Sequence, residues 1–226
     1  NMYPDAELMM VENQDELWLV WTDDNAERDD ANRTQLRFAV QSNGTWSKPV
    51  WIHDDKTADF APVAASTGNG VLMAWQNIGK HITEEDGLSE MLKNSEISVT
   101  QTGYTSTGVA PNIITLTSDD AVDHSPHIAA HGDQALLVCT KSTGLTTVLN
   151  AGEDQPGKDD HRLYYSAWNN GVWSTPEAIS SVSETVMDAH LVMEGETGLL
   201  LYTLDMDQDL YTTEDREVFV RLYERN

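Results

Sequence analysis

One spacing recurs along this chain and decides what it can become. An aspartate opens a short apolar run, a polar turn follows, and a second apolar run ends on an aromatic residue or a cysteine sixteen residues later. The pattern runs from Asp5 to Trp21, from Asp59 to Trp75 and from Asp123 to Cys139, and returns in fourteen residues from Asp188 to Tyr202. The starts lie 54, 64 and 65 residues apart, a period that belongs to repeat architectures and not to a fold with a single irregular core. Each segment reads as two short strands around a turn that holds Gly, Asn or Asp, with second runs such as Leu17-Trp18-Leu19-Val20-Trp21 and Ala135-Leu136-Leu137-Val138-Cys139.

The residues after each segment repeat as well. A polar stretch of variable length leads into an alternating strand, Leu36 to Val40 in the first unit and Leu163 to Trp168 in the third. A tight turn and a fourth strand close the unit, at Ser42-Asn43-Gly44-Thr45-Trp46 and at Asn170-Gly171-Val172-Trp173. Asn-Gly is the dipeptide favoured in two-residue hairpins because both positions tolerate positive φ. The second unit carries a weaker version around Gln101-Thr102-Gly103-Tyr104. Four antiparallel strands per repeat, without helical periodicity, describe the blade of a β-propeller. The expected fold is therefore all-β, with about four blades forming one domain or fragment over residues 1–226, in units 5–58, 59–122, 123–187 and 188–226, and with any helix confined to a loop such as 84–93.

With these turns the repeat resembles the sialidase-like secreted bacterial propellers, in which a Gly-x-Trp turn joins the third and fourth strands of each blade. The Asp-box is degenerate here, since Asn43 and Asn170 stand before the glycines. The resemblance implies a secreted or cell-surface protein and a carbohydrate-related role.

The fourth unit stops at its third strand, Val218 to Tyr223, while closed propellers hold about four to eight complete blades. Open blades expose strand edges that proteins cover. The expectation is a part of a larger propeller with flanking blades, or copies joined edge to edge.

Charge narrows the partners. Against 13 Lys and Arg stand 38 Asp and Glu, a net charge of −25, which disfavours nucleic acid and anionic membranes because both are bound through basic patches. No apolar run is long enough to insert into a membrane. A single cysteine, Cys139, precludes an internal disulfide. Eighteen of the 38 acids fall in the four stretches 22–33, 77–95, 141–161 and 204–216, the loops between second and third strands, which open on one face. Alternate carboxylates on a tight loop suit calcium. Asp205, Asp207 and Asp209, closed by Asp215, form the candidate calcium site, with Asp23-Asp24 and Asp29-Asp30 a second.

The repeated aspartates begin the strands that should surround the propeller axis, so Asp59, Asp123 and Asp188, with neighbouring His124, are the candidate ligand-binding residues. His124, His127 and His131 suggest zinc, yet strict alternation would put His124 and His127 on opposite faces. The recurring Trp18, Trp21, Trp75, Trp46 and Trp173 read as packing between blades. No arginine of the seven stands at an inner-strand start, so a sialidase site is not apparent. The leading expectation is a non-catalytic binding or adhesion module for a glycan or a basic protein. The alternatives are a structural spacer and a glycoside hydrolase-type propeller using carboxylates at the axial mouth.

Overall fold

The computed structural model describes residues 8–101, 103–106, 112–143, 161–169, 171–179, 185–206 and 215–224. They form four antiparallel sheets that follow one another in chain order. Sheet one holds β1 (Leu8–Asn13), β2 (Glu16–Asp24), β3 (Thr34–Ser42) and the short β4 (Thr45–Trp46) and β5 (Val50–Trp51). Sheet two holds β6 (Asp59–Thr67), β7 (Gly70–Ile78), β8 (Ser95–Thr100) and β9 (Ile113–Thr115). Sheet three repeats the plan with β10 (Val122–His131), β11 (Gln134–Ser142), β12 (His161–Asn169), β13 (Val172–Trp173) and β14 (Glu177–Ala178). Sheet four has three strands among the described residues, β15 (Thr185–Glu194), β16 (Thr197–Asp205) and β17 (Arg216–Glu224). The one α-helix of the described residues, α1 (Leu88–Lys93), lies in the loop where a helix was anticipated.

Local chemistry explains each sheet. Every first-to-second hairpin turns in two residues, between Asn13 and Glu16, Thr67 and Gly70, His131 and Gln134, and Glu194 and Thr197. The Asn-Gly turn after β3 has positive φ at both positions, 51° at Asn43 and 75° at Gly44, the conformation that matches the right-handed twist of the strands it joins. Alternation then gives every sheet two apolar faces, which is what stacking requires.

The core lies between the sheets. Trp18, Val20, Phe38 and Val40 of sheet one pack on Ala64, Met73, Trp75 and Tyr104 of sheet two. Trp18 stacks on Phe38 with ring centroids 5.3 Å apart. Leu72, Ala74, Ile97 and Val99 on the other face of sheet two meet Ala135, Leu137, Cys139 and Trp168 of sheet three. Val138 and Leu163 then meet Val186, Ala189, Leu200 and Leu204 of sheet four. The first strands β1, β6, β10 and β15 lie side by side in that order, so they form the inner wall of an arc of propeller blades.

Candidate functional site

The inner strands surround a cavity of about 600 Å³, walled by Leu8 and Met9 of β1, Ala61 to Val63 of β6, Ser125 to Ile128 of β10, and His190 to Val192 of β15. Beside it, between sheets three and four, a second cavity of about 270 Å³ is lined by His124, His127, Thr140, His161, Met187 and Asp188, among others. Ser125 and His127 belong to both.

A repeated irregularity shapes this wall. In β6 the register steps from Phe60↔Gln76 to Val63↔Ala74, so Ala61 and Pro62 together oppose Trp75. In β10 it steps from His124↔Thr140 to His127↔Val138, so Ser125 and Pro126 oppose Cys139. Ala61 and Ser125 take φ of 47° and 50°. A β-bulge leaves its extra residue outside the ladder, and a proline costs least where no amide hydrogen is needed. In β15 a single extra residue, Met187, sits between Val186↔Leu204 and Asp188↔Thr203.

The bulges decide where the candidate aspartates go. Asp59 is 2% exposed. Its Oδ1 accepts hydrogen bonds from Trp75 Nε1 at 2.8 Å and Asn77 Nδ2 at 3.0 Å. Burial pushes its carboxyl up to about 7, against the pull of those two donors. Asp123 is 0% exposed, and its partner at the tryptophan position is Cys139, which offers no indole N–H. Lys141 Nζ approaches to 3.5 Å instead. Burial raises Asp123 to about 7 as well, Lys141 opposing and Asp119 and Glu96 adding to the rise. Lys141 also pairs with Asp119, and Glu96 accepts from Thr117 Oγ1 at 2.7 Å and from the Asp119 amide at 3.0 Å. Asp59 and Asp123 are thus enclosed between sheets and fix the strand entrances; neither is presented to the axial cavity.

Asp188 is different. Counted back from its hairpin, Asp188 lies six residues before Glu194, whereas Asp59 and Asp123 lie eight before Thr67 and His131. By that count it stands where Ala61 and Ser125 stand, here paired with Thr203 after the extra residue Met187, and Val186 stands where the buried aspartates do. Its side chain is 61% exposed on the wall of the smaller cavity between sheets three and four, with His190 Nε2 at 3.1 Å from Oδ2. His190 meets His127 edge to face at 6.0 Å, and His124 meets His161 at 5.5 Å. The bulge corrects the alternation argument, because its extra residue turns His124 and His127 into one cavity. Burial first, then His190, lowers the His127 pKa from its usual value, which keeps that ring neutral near pH 7. His161 and His190 were not singled out in the sequence. Among the described residues no group of three or more His, Cys, Asp or Glu is arranged to hold a metal ion.

The acidic loops are partly neutralised. Asp24 receives Arg33 through both Nε at 2.5 Å and Nη2 at 2.8 Å, and Asp23 lies 3.2 Å from Arg37. Asp205 is 0% exposed and faces Arg216 at 3.5 Å, its register partner across β16 and β17. Asp215 is described and half-buried. Asp207 and Asp209, the centre of the expected calcium site, lie outside the described residues.

No protein-family model and no curated protein matches this sequence. Solved structures do. The Penicillium chrysogenum α-L-arabinanase complexed with arabinobiose superposes with a TM-score of 0.57 at 11% identity, covering 98% of this chain and 64% of that one. The GH93 α-L-arabinofuranosidase of Fusarium graminearum with arabinobiose gives 0.51 at 9% identity, covering 94% and 63%. This chain spans somewhat under two thirds of those enzymes. At such identities the likeness is one of fold, and it supports a propeller. The two are an arabinanase and an arabinofuranosidase, which goes against the expectation of a non-catalytic binding or adhesion module and favours the hydrolase alternative.

Proposed function

We propose that the chain belongs to a glycoside hydrolase propeller that acts on neutral glycans containing arabinofuranosyl units, with its substrate lying across the axial cavity and the adjoining cavity between sheets three and four. The observation that carries the reading is Asp188, the one carboxylate among the described residues that line the two cavities, on the wall of the smaller one, which shares Ser125 and His127 with the axial cavity. Hydrolysis of a glycosidic bond needs one carboxyl to protonate the departing oxygen and another to take a proton from water or to attack the sugar. Asp188 is accessible, and His190 Nε2 lies 3.1 Å from its Oδ2, close enough to orient the carboxyl toward a bound sugar.

Neutral substrate follows from charge, since a chain at −25 repels anionic sugars. Sialidase-type chemistry is the weaker reading because no arginine is among the described residues that line either cavity. Action outside the cell accords with such substrates, and no helix among the described residues is long and apolar enough to cross a membrane.

Release of nitrophenol from 4-nitrophenyl α-L-arabinofuranoside and of reducing ends from arabinan tests the proposal. Turnover that drops about 10²- to 10⁴-fold in Asp188→Asn supports it. Absence of turnover, together with unretarded migration in arabinan affinity gels, rejects it.

A further inference from the structure

The interfaces between sheets repeat, and one of them lacks its second half. Leu72 and Ala74 on β7 and Ile97 and Val99 on β8 are each 0% exposed because sheet three covers them. Hairpin position and strand register make Leu199, Leu201, Val218 and Val220 their equivalents on sheet four. Those four are 38%, 41%, 66% and 63% exposed. Val192 and Leu222 extend the same face at 59% and 60%. The opposite end of the arc shows the complementary face. Met10 of β1 is 61% exposed, while its equivalent on β6, Ala64, is 6% exposed beneath sheet one. A row of exposed valines and leucines this long marks an interface.

The strand edge tells the same story. The third strands β3, β8 and β12 each pair onward, with β4 and β5, with β9, and with β13 and β14. Strand β17, nine residues long, has no such neighbour among the described residues, and it stands at the place in the sheet where the other third strands take on a further strand.

We propose that a further antiparallel sheet of the same polypeptide sits between sheet four and sheet one, pairs with or covers the β17 edge, and closes the ring. Three features fix this occupant. Its two faces must be apolar, as those of sheets two and three are. Sheets one and four wall a single cavity, through Leu8 and Met9 on one side and Leu191 and Val192 on the other, so the gap suits a blade and not a second four-sheet body. Sheet follows sheet in chain order at every step of the arc, which makes the next blade of the ring the next unit of the chain. The closing blade would also complete the wall of the axial cavity.

The test compares the 226-residue chain with the same chain expressed together with its adjoining coding sequence, each as wild type and as Val220→Asp, with Val99→Asp as the reference for a covered position. Val220→Asp should leave the melting temperature of the 226-residue chain almost unchanged and should lower that of the longer chain about as far as Val99→Asp does. Should the substituted longer chain fail to fold, amide exchange in the unsubstituted proteins decides: β17 amides should slow at least tenfold in the longer one. The proposal is overturned if the adjoining sequence encodes no such repeat, or if β17 exchange and the Val220→Asp effect are the same in both chains. It is equally overturned if the 226-residue chain sediments as a dimer that Val220→Asp dissociates, because a second copy would then be the occupant.

Discussion

Trp75 donates its indole N–H to the carboxyl of Asp59 at 2.8 Å, in a pair buried between sheets one and two. The sixteen-residue interval that recurs in the sequence is the chain length between these two groups. Because Asp59 holds its proton up to about pH 7 in the fold and only to about 3.8 when free, the native state binds more protons than the unfolded chain across that window. Its share of stability is present below pH 3.8 and fades as pH rises through 7, on the order of 4 kcal/mol in all. Melts from pH 4.5 to 8 should fall in Tm for the wild type and fall less for Asp59→Asn. Trp75→Phe, which strips the donor, should cost about 1–3 kcal/mol at neutral pH. A slope unchanged by Asp59→Asn would assign the titration to another group.

Lys141 answers two acids at once, Asp119 and Asp123, with its side chain 12% exposed. Lys141→Met keeps the bulk and removes the charge, leaving Asp123 buried without compensation, a loss of about 3–5 kcal/mol where that aspartate is ionised. At pH 5 Asp123 takes up a proton and the loss should shrink. Chemical denaturation at pH 5 and pH 8 gives the comparison, and equal losses at both would contradict it.

Gly70 has a φ of 135°, and a Cβ added there would lie 2.4 Å from the backbone carbonyl oxygen of Tyr104. Backbone cannot yield as a flexible side chain would, so Gly70→Ala should destabilise by more than about 2 kcal/mol. Gly87 has open space around it, and Gly87→Ala should stay within about 0.5 kcal/mol of wild type. Urea titration of the two variants distinguishes local crowding from a general intolerance of added methyls.

Cys139 is 1% exposed, and burial raises its thiol pKa above the usual range. A neutral, enclosed thiol is inert. Ellman's reagent should therefore react with about one equivalent only after denaturation, and fast reaction of the folded protein would place the thiol elsewhere.

The fold was legible because its determinants are local. Paired apolar runs, two-residue turns and the Asn43-Gly44 dipeptide act within a few residues of themselves, so the sheets could be read directly. The site was less so. Asp59, Asp123 and Asp188 look alike in sequence, yet a bulge encloses the first two and an offset of two residues brings the third into the cavity. Both effects left traces. Pro62 and Pro126 stand at the same distance after their aspartates, the mark of a residue outside the ladder, and the Asp188 segment is two residues short. The meeting of His127 with His190 and of His124 with His161 depends on how sheet three sits against sheet four, which no interval along the chain records.

The two ends of the sheets differ in what change they can absorb. At one end every turn between first and second strands has two residues, and an insertion there would slip a strand and exchange its faces. At the other end the connections between second and third strands span 25–33, 79–94, 143–160 and 206–215, lengths with no common value. Descendants of this sequence would then diverge lopsidedly: insertions would accumulate in the connections between second and third strands, while the two-residue turns stayed nearly still. Those connections can lengthen or shorten over evolutionary time without the blades ever having to be rebuilt.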